Sequence, residues 1–304
     1  MRMKTAIALA TLLATTGCID LVGADGRYVE RETKHFTTSA TPDLNLDTFD
    51  GAIEVRAWDK PEVDVVIEKR AVSREAAATI EIRADQSGNQ VTVEAKVPKS
   101  SHIGFHFNSS RSARLIVSAP RTSNLLAKSG DGSIMVEKIS GRLELRSGDG
   151  SIRGRDLAGD VKAHTGDGSI RLDGVHGSID VDTGDGTVDA SGTLTAVRAR
   201  SGDGSVTIRA HGGSAPRADW EITTGDGSIT LELPDAFDAE LDAHTGDGRV
   251  RINDVTLSNV TGKIGKNNVR GQLGSGGHLV RLRTGDGSIT LKRAQLAEAT
   301  GGTF

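Results

Sequence analysis

The chain has 304 residues, a formal net charge of −4 at pH 7, and 26% charged residues of both signs. These charges are interspersed, so the sequence lacks the basic footprint of a nucleic-acid-binding protein or of a protein held by charge at an anionic membrane. Hydrophobic residues make up 36%, which excludes a disordered chain of this charge, while 38 glycines and only 3% aromatics predict a turn-rich β fold with a core of small aliphatic side chains.

Residues 1–17 have the layout of a secretory signal peptide. Arg2 and Lys4 precede an apolar run over residues 6–14, and small residues then lead to Cys18, the only cysteine. The apolar run is too short to span a bilayer, so we expect it to be a cleaved export signal rather than a membrane span.

The segment Thr15-Thr16-Gly17-Cys18 resembles a bacterial lipobox. This resemblance implies cleavage before Cys18 and acylation of that residue, which would anchor an exported lipoprotein. An ordinary signal peptide with an incidental cysteine is the alternative. Ile19, rather than aspartate, follows the cysteine, and by the same resemblance this implies the outer membrane. Residues 18–42 are predicted to be the lipidated cysteine and a polar tether.

Residues 43–120 are predicted to be an irregular β region. The predicted strands are 44–46, 53–57, 63–69, 80–83, 91–95 and 115–117. The segment Phe49-Asp50-Gly51-Ala52-Ile53-Glu54-Val55 is a worn copy of the turn and strand that recur later in the chain. We therefore expect this region to begin the same stack of strands.

Residues 121–292 are organised by a Ser/Thr-Gly-Asp-Gly unit that occurs eight times. The first glycines of the units are 18 residues apart in four intervals, then 23, 21 and 39 apart, and the last interval has room for one degenerate turn. These first glycines are Gly130, Gly148, Gly166, Gly184, Gly202, Gly225, Gly246 and Gly285. The aspartates are Asp131, Asp149, Asp167, Asp185, Asp203, Asp226, Asp247 and Asp286.

Apolar and polar residues alternate on both sides of each unit, as half-buried strands require. Leu143 and Leu145 precede one unit, Ile170 and Leu172 follow another, and a second turn such as Ser140-Gly141 lies opposite. An 18-residue rung of two strands and two turns cannot bury its apolar side chains alone, so the rungs must stack in parallel about 4.8 Å apart. The predicted fold is all-β, a parallel β-helix or β-solenoid with rungs of about 18 residues.

The outward positions support parallel stacking. Four residues before successive units, the charge alternates along a row of side chains, and in-register stacking would turn vertical neighbours into attractive pairs. This row is Glu144, Lys162, Asp180, Arg198 and Glu221. A β-propeller would need blades of about 40 to 50 residues, and an outer-membrane barrel would need aromatic girdles.

The repeat also carries a family resemblance. The Thr-Gly-Asp-Gly-Ser-Ile units, the segment 262–265 leading to 282–285, and the worn turn at Asp50-Gly51 resemble a bacterial family of candidate adhesins built from β-strand repeats, over roughly residues 43–292. That family occurs in secreted and envelope proteins, and some of its members are associated with envelope stress. The resemblance implies the solenoid architecture and an envelope location, and it supplies no catalytic residues.

Three hypotheses address the column that the eight aspartates should form. In the first, each carboxylate accepts hydrogen bonds from its own turn, and the flanking glycines supply positive φ. In the second, the column binds calcium, although one carboxylate per rung is few for six to eight oxygen ligands. In the third, carboxylates on adjacent rungs act on a polysaccharide as a retaining glycosidase pair. The equivalence of all eight aspartates disfavours catalysis.

Other candidate groups are weaker. His164 and His244 occupy the same outward position in rungs that are not adjacent, and His102 and His106 are about 13 Å apart if their segment is a strand. We expect exposed surface histidines, no catalytic residues, no metal site and no cofactor.

The sequence thus predicts a non-enzymatic, envelope-tethered scaffold or adhesin-like interaction module. Its expected partners are the membrane, through the lipid anchor, and an envelope protein or glycan, with no nucleic acid. The alternatives are a polysaccharide-acting β-helix enzyme and a calcium-stabilised β-roll. Residues 293–304 are predicted to be a C-terminal tail that is frayed or helical.

Overall fold

The computed structural model describes residues 19–22, 27–39, 41–98, 111–262 and 266–294. This part of the chain is all-β apart from one short helix, α1 (Arg74–Ala78), and it contains no helix with the length and apolar content needed to cross a bilayer. The strands are β1 (Ile19–Val22), β2 (Tyr28–Thr37), β3 (Asp43–Thr48), β4 (Ile53–Trp58), β5 (Glu62–Ala71), β6 (Glu81–Ser87), β7 (Gln90–Lys96), β8 (Ser112–Pro120), β9 (Asn124–Ser129), β10 (Ile134–Glu137), β11 (Ser140–Ser147), β12 (Ile152–Arg155), β13 (Ala158–Thr165), β14 (Ile170–Thr183), β15 (Val188–Ser201), β16 (Val206–Ala210), β17 (Trp220–Thr224), β18 (Ile229–Leu233), β19 (Ala239–Thr245), β20 (Val250–Asn253), β21 (Ser258–Gly262), β22 (Asn268–Leu273), β23 (Leu279–Thr284) and β24 (Ile289–Arg293).

The strands form a solenoid-like stack with two faces. Strands that precede a Gly-Asp-Gly turn pair with one another and form the first face, and strands that follow such a turn form the second face. On the first face Leu143 pairs in parallel with Val161, which pairs with Ile179. On the second face Ile152 lies between Ile134 and Ile170. Each of these partners is 18 residues from the next, so the alternating apolar pattern is stacked like on like.

The core lies between the two faces. Inward side chains from both faces are buried along the whole stack, and the largest of them is Trp220, which meets Phe237 edge-on with ring centroids 5.2 Å apart. Most of the other core residues are valine, leucine, isoleucine and alanine, as the low aromatic content predicts. Full burial of one such branched side chain contributes about 1.5–3 kcal/mol, and repetition along the stack makes this the main stabilising term.

A rung is one first-face strand together with the second-face strand that follows it. At both ends of the stack, the order of rungs in space differs from their order in the chain. The pair β3/β4 lies between β7/β8 and β9/β10. At the other end, β23/β24 lies between β17/β18 and β19/β20. The first and last rungs of the chain, β3/β4 and β23/β24, therefore each lie one place inside an end of the stack.

Antiparallel strands extend the N-terminal end of the second face. β2 pairs with β5 over its full length, β5 pairs with β8, and β1 pairs with β2. Val29 and Phe36 of β2 are buried, so the predicted polar tether over residues 18–42 is wrong for residues 28–37. The sequence concealed this strand because six polar residues separate Val29 from Phe36, and several of them form ion pairs, such as Glu30 with Lys69 at 3.2 Å.

The C-terminal end carries a different addition. The long interval between Gly246 and Gly285 was predicted to hold one degenerate solenoid turn, but it holds an antiparallel hairpin of β21 and β22. β22 pairs antiparallel with β19, and so extends the first face. The prediction of a further parallel rung is therefore wrong. Of the predicted tail, Arg293 belongs to β24, and residues 295–304 lie outside the described residues.

Candidate functional site

The Gly-Asp-Gly turns lie on one another along a single edge, called here the turn edge. Successive first glycines are linked by backbone hydrogen bonds, as from Gly202 N to Gly184 O at 2.5 Å. All eight aspartate side chains are exposed. From the N-terminal end, the order of aspartates is Asp50 of the worn turn, Asp131, Asp149, Asp167, Asp185, Asp203, Asp226, Asp286 and Asp247.

The triplet glycines are required by close approach between rungs. A Cβ atom placed on Gly166 would lie 2.7 Å from the carbonyl oxygen of Gly148, and one on Gly168 would lie 2.3 Å from that of Gly150. None of the triplet glycines has a positive φ, so the prediction that they supply left-handed backbone is wrong. Positive φ occurs instead in the opposite turn, at Gly141, Gly159 and Gly177.

The Ser or Thr before each triplet forms a buried ladder of hydroxyl groups. Thr165 is fully buried, and its Oγ1 donates to the carbonyl oxygen of Gly150 in the preceding turn at 2.9 Å. Ser147 Oγ both donates to Gly132 O at 2.8 Å and accepts from Gly150 N at 3.1 Å. These hydroxyls, to which the repeat pattern alone assigned no role, connect one turn to the next. The signal was present, because no unit lacks the Ser or Thr.

The aspartate carboxylates have no comparable bonds. Within the described residues, none of the eight accepts a hydrogen bond from a protein group, so the hypothesis that they stabilise their own turns is wrong. Instead six of them approach the next turn: for example, Asp149 Oδ1 lies 3.1 Å from the position a Cβ atom would take on Gly166. At the N-terminal end of the column, burial and then the negative charge of Asp131 raise the pKa of the half-buried Asp50.

The turn edge shows neither a metal cage nor an acid–base pair. In the part of the chain that the structure describes, no three His, Cys, Asp or Glu side chains are grouped so that they could hold a metal ion. The eight aspartates share the same exposed setting, whereas catalysis by a carboxyl pair uses two groups in contrasting environments, so that one is protonated while the other is ionised. The turn edge therefore presents a solvated row of negative charge.

The first face carries the alternating charges that the sequence predicted. Glu144 pairs in register with Lys162, Lys162 with Asp180, and Asp180 with Arg198. The Arg198 guanidinium lies 3.3 Å from the Glu221 carboxylate on the next rung. Vertical neighbours along this row therefore attract one another, as parallel stacking requires.

Three adjoining depressions lie along this row and form what we call the charged groove. Their volumes are 410, 380 and 350 Å³. The first two share Lys162, Asp180 and Arg198, and the second and third share Arg198 and Asp219. Both signs of charge therefore line one shallow surface that crosses several rungs.

The histidines are placed separately. His164 lies on the outward side of the first face, where its Nδ1 is 3.3 Å from the Asp182 carboxylate. His244 pairs in register with Arg283 near the C-terminal end. His102 and His106 lie outside the described residues, as does the predicted acylation site, Cys18.

Comparisons with known proteins give one family match and several similar solved structures. A family profile described as Toastrack DUF4097 matches residues 42–292. A candidate adhesin from Bacteroides fragilis is similar in structure at 13% identity, with 87% of this chain and 97% of that chain covered and a TM-score of 0.46. A candidate lipid-binding protein from Parabacteroides distasonis is similar at 13% identity, with 87% of this chain and 97% of that chain covered and a TM-score of 0.44. A candidate cell adhesion protein from Clostridium sporogenes is similar at 14% identity, with 88% of this chain and 100% of that chain covered and a TM-score of 0.29. The comparison with curated proteins gives no match.

Proposed function

The chain belongs to the Toastrack DUF4097 family, and from this premise we propose that it is a non-enzymatic envelope lipoprotein whose charged groove binds another envelope component. The offset of 18 residues between paired strands is then one rung of a parallel β-helix. The partner is a protein or a glycan, recognised across several rungs rather than in one deep pocket.

The charged groove is the observation that carries this proposal. Its side chains project from strands held in register, so the backbone is already ordered and only side-chain conformational entropy is lost when a partner binds. Alternating charges favour a partner with the complementary alternation and repel one in the wrong register, which gives specificity more than raw affinity. The solvated aspartates of the turn edge support a binding role in place of a catalytic one.

The membrane anchor is the second element of the proposal. Because β1 begins at Ile19, directly after Cys18, an acyl chain on Cys18 would hold the N-terminal end of the stack at the membrane. We expect the Cys18→Ala variant to be released into the soluble fraction with an unchanged fold. Metabolic labelling with a fatty acid checks this, and label that persists in the variant would refute acylation at this residue.

Site-specific cross-linking tests the groove. A photoreactive residue at position 180, in the groove, should give a discrete cross-linked product in intact cells, whereas one at position 171, on the second face, should not. The product at position 180 should fall about tenfold when Lys162→Gln and Arg198→Gln are combined, because two charge-assisted contacts are lost. The matched control is Arg153→Gln with Arg171→Gln on the second face, where both arginines are exposed.

Two results would contradict the proposal. Equal cross-linking from both faces would show that the groove is not the contact surface. If the protein degraded an envelope polysaccharide, and one Asp→Asn change in the turn edge abolished this activity, the protein would be an enzyme.

A further inference from the structure

A buried glutamate near the N-terminal end of the second face is surrounded by three arginines. The side chain of Glu68 on β5 is only 2% exposed. Arg70 Nη2 lies 3.2 Å from its Oε2, and Arg114 Nη1 lies 3.5 Å from the same oxygen. Arg31 of β2 donates to the other oxygen, Oε1. One carboxylate is therefore the common partner of guanidinium groups from three adjacent strands.

The cluster carries more positive than negative charge. Arg114 also donates to Glu54, with its Nε 3.1 Å from Oε1, so two carboxylates face three guanidinium groups and the net charge is +1. Burial raises the pKa of Glu68, but hydrogen bonds from Arg31 and Arg70 outweigh this and leave the pKa below its ordinary value. Glu68 therefore remains ionised at neutral pH and does not change this balance.

Two donors in the cluster have no acceptor. The Nε atoms of Arg31 and Arg70 are buried, and no group among the described residues accepts a hydrogen bond from either. Buried N–H donors are nearly always paired in folded proteins, and an unpaired one costs about 1–3 kcal/mol. The side chains themselves are 43% and 40% exposed, so the cluster opens to the surface. An acceptor from outside the protein can reach the exposed part of these guanidinium groups, and it meets the buried Nε–H donors only when a guanidinium group turns toward it.

We infer that Arg31, Arg70 and Arg114 form a binding site for a phosphate group. Guanidinium groups bind phosphate through paired N–H donors, and a phosphate carries enough oxygens to accept from more than one arginine at once. The net positive charge attracts the anion, and Glu68 holds the three side chains converged before the anion arrives. This site is separate from the charged groove, which lies on the first face.

The position of the cluster favours a lipid headgroup as the source of the phosphate. Ile19 of β1 pairs with Arg31 of β2, so Arg31 lies one strand spacing, about 4.8 Å, from the residue that follows Cys18. If Cys18 is acylated, the cluster lies at the depth of the lipid phosphates. This placement depends on the proposed anchor, whereas the phosphate site itself does not.

The test uses the full-length chain with Cys18→Ser, so that no acyl chain contributes to binding. Arginine Nε–H resonances are followed by nitrogen-15 NMR during titration with inorganic phosphate, and separately with dihexanoylphosphatidylglycerol below its micelle concentration. We expect the Nε–H signals of Arg31 and Arg70 to shift with a saturating dependence. The signal of Arg171, a 70% exposed arginine on the same face, should not shift.

Variants give the direction of the effect. Arg31→Gln and Arg70→Gln should each raise the dissociation constant at least about fivefold, because a charge-assisted contact is lost. Glu68→Gln keeps an amide oxygen that accepts from the arginines but removes the nearest negative charge, so it should lower the dissociation constant about threefold. Arg171→Gln should leave it unchanged. The opposite signs separate a binding site from a purely structural ion cluster, in which Glu68→Gln would only destabilise the fold.

Saturable binding of both ligands supports a general phosphate site, and stronger binding of the lipid supports a headgroup site. Absence of any saturable Nε–H shift in the unsubstituted cluster would overturn the inference, whatever the variants do. A loss of binding in Arg171→Gln equal to that in Arg31→Gln would also overturn it. If the phosphate site is present but Cys18 is not acylated, the proposed anchor fails and the site stands.

Discussion

The middle of the stack and its two ends are built by different rules. From β9 to β18, each strand has parallel neighbours whose register follows the order of the chain. At the ends, strands from elsewhere in the chain take the terminal places, and antiparallel strands are added outside them. The difference shows that repeated strands are sufficient to bury the core in the middle of the stack. At each end of the stack, a row of otherwise unpaired backbone N–H and C=O groups must also find partners.

The C-terminal end shows how such an edge is handled. On the second face, the outermost strand β20 has its Val250 N–H bonded to the carbonyl oxygen of Lys266 at 2.8 Å. On the first face, the outermost strand β21 is interrupted by a shift of register between Ser258 and Thr261, where Asn259 has a φ of +50°. A bulge of this kind discourages pairing with another chain.

The largest expected effect comes from removing the rung that lies inside the C-terminal end. Deletion of residues 279–304 removes the buried side chains of β23/β24, and it also separates β17/β18 from β19/β20. We expect the melting temperature to fall by more than about 10 °C, or cooperative unfolding to be lost. Replacing residues 256–275 by a Gly/Ser linker removes only the outer hairpin and should cost less. Equal losses would show that the rung order has no special role.

The second prediction addresses the close contact between rungs in the middle. Gly168→Val places a branched side chain 2.3 Å from the carbonyl oxygen of Gly150, so the two turns must separate. We expect a loss of about 2–3 kcal/mol in the free energy of unfolding, measured by urea denaturation. The matched control is Gly212→Val, because a Cβ atom there meets nothing within 4 Å, and its effect should be within about 0.5 kcal/mol.

The sequence predicts the middle of the stack far better than its ends. Leu143, Val161 and Ile179 could be aligned because the repeat places equivalent residues at a constant interval, and stacking like on like follows from burial alone. No interval shows that β3 lies between β7 and β9, since that order depends on which strand best covers an exposed end. β2 was missed because a strand with so many polar side chains has only a weak alternating pattern.

The turn edge gave a mixed result for a related reason. The repeat shows that Thr165, Gly166 and Asp167 matter as a unit, but not which of the three bonds to the neighbouring turn. The exposed aspartate is conspicuous in the sequence, yet the bonds to the neighbouring turn come from the buried hydroxyl of Thr165 and the backbone N–H of Gly166. Distances between rungs, which determine the role of Gly166, are a property of the stack and are not visible in one unit.

The hydroxyl ladder provides the third prediction. Thr165→Val keeps the shape of the side chain but leaves the carbonyl oxygen of Gly150 without its hydroxyl donor. We expect a loss of about 1–2 kcal/mol by urea denaturation, because a buried acceptor loses its hydrogen bond. Thr165→Ser keeps the donor and should recover most of this loss. If Val and Ser behaved alike, packing rather than hydrogen bonding would explain the unvarying Ser or Thr.

The fourth prediction concerns the charge of the aspartate column. Asp167 is exposed and accepts no hydrogen bond from the described residues, so Asp167→Asn should change the free energy of unfolding by less than about 1 kcal/mol. Thermal melts with EDTA and with millimolar calcium should coincide for the unsubstituted protein. A rise of many degrees with calcium, absent in Asp167→Asn, would make the column an ion site.

The smallest expected effect is that of Asp50→Asn at the end of the aspartate column, compared with Asp167→Asn in its middle. Burial and the charge of Asp131 raise the pKa of Asp50, so the folded state holds its proton to a higher pH than the unfolded state does. Ionised Asp50 therefore destabilises the fold above this raised pKa, and Asp50→Asn should stabilise the protein by a few tenths of a kcal/mol, roughly, at neutral pH. The gain should shrink as the pH falls through the raised pKa and vanish below the ordinary value of 3.8, where the carboxyl is protonated in both states. Urea denaturation over this pH range measures the gain in the free energy of unfolding. Asp167→Asn is the matched control, because Asp167 is an exposed aspartate with turns on both sides. A gain that is independent of pH would mean that Asp50→Asn acts through packing at the worn turn and not through its charge.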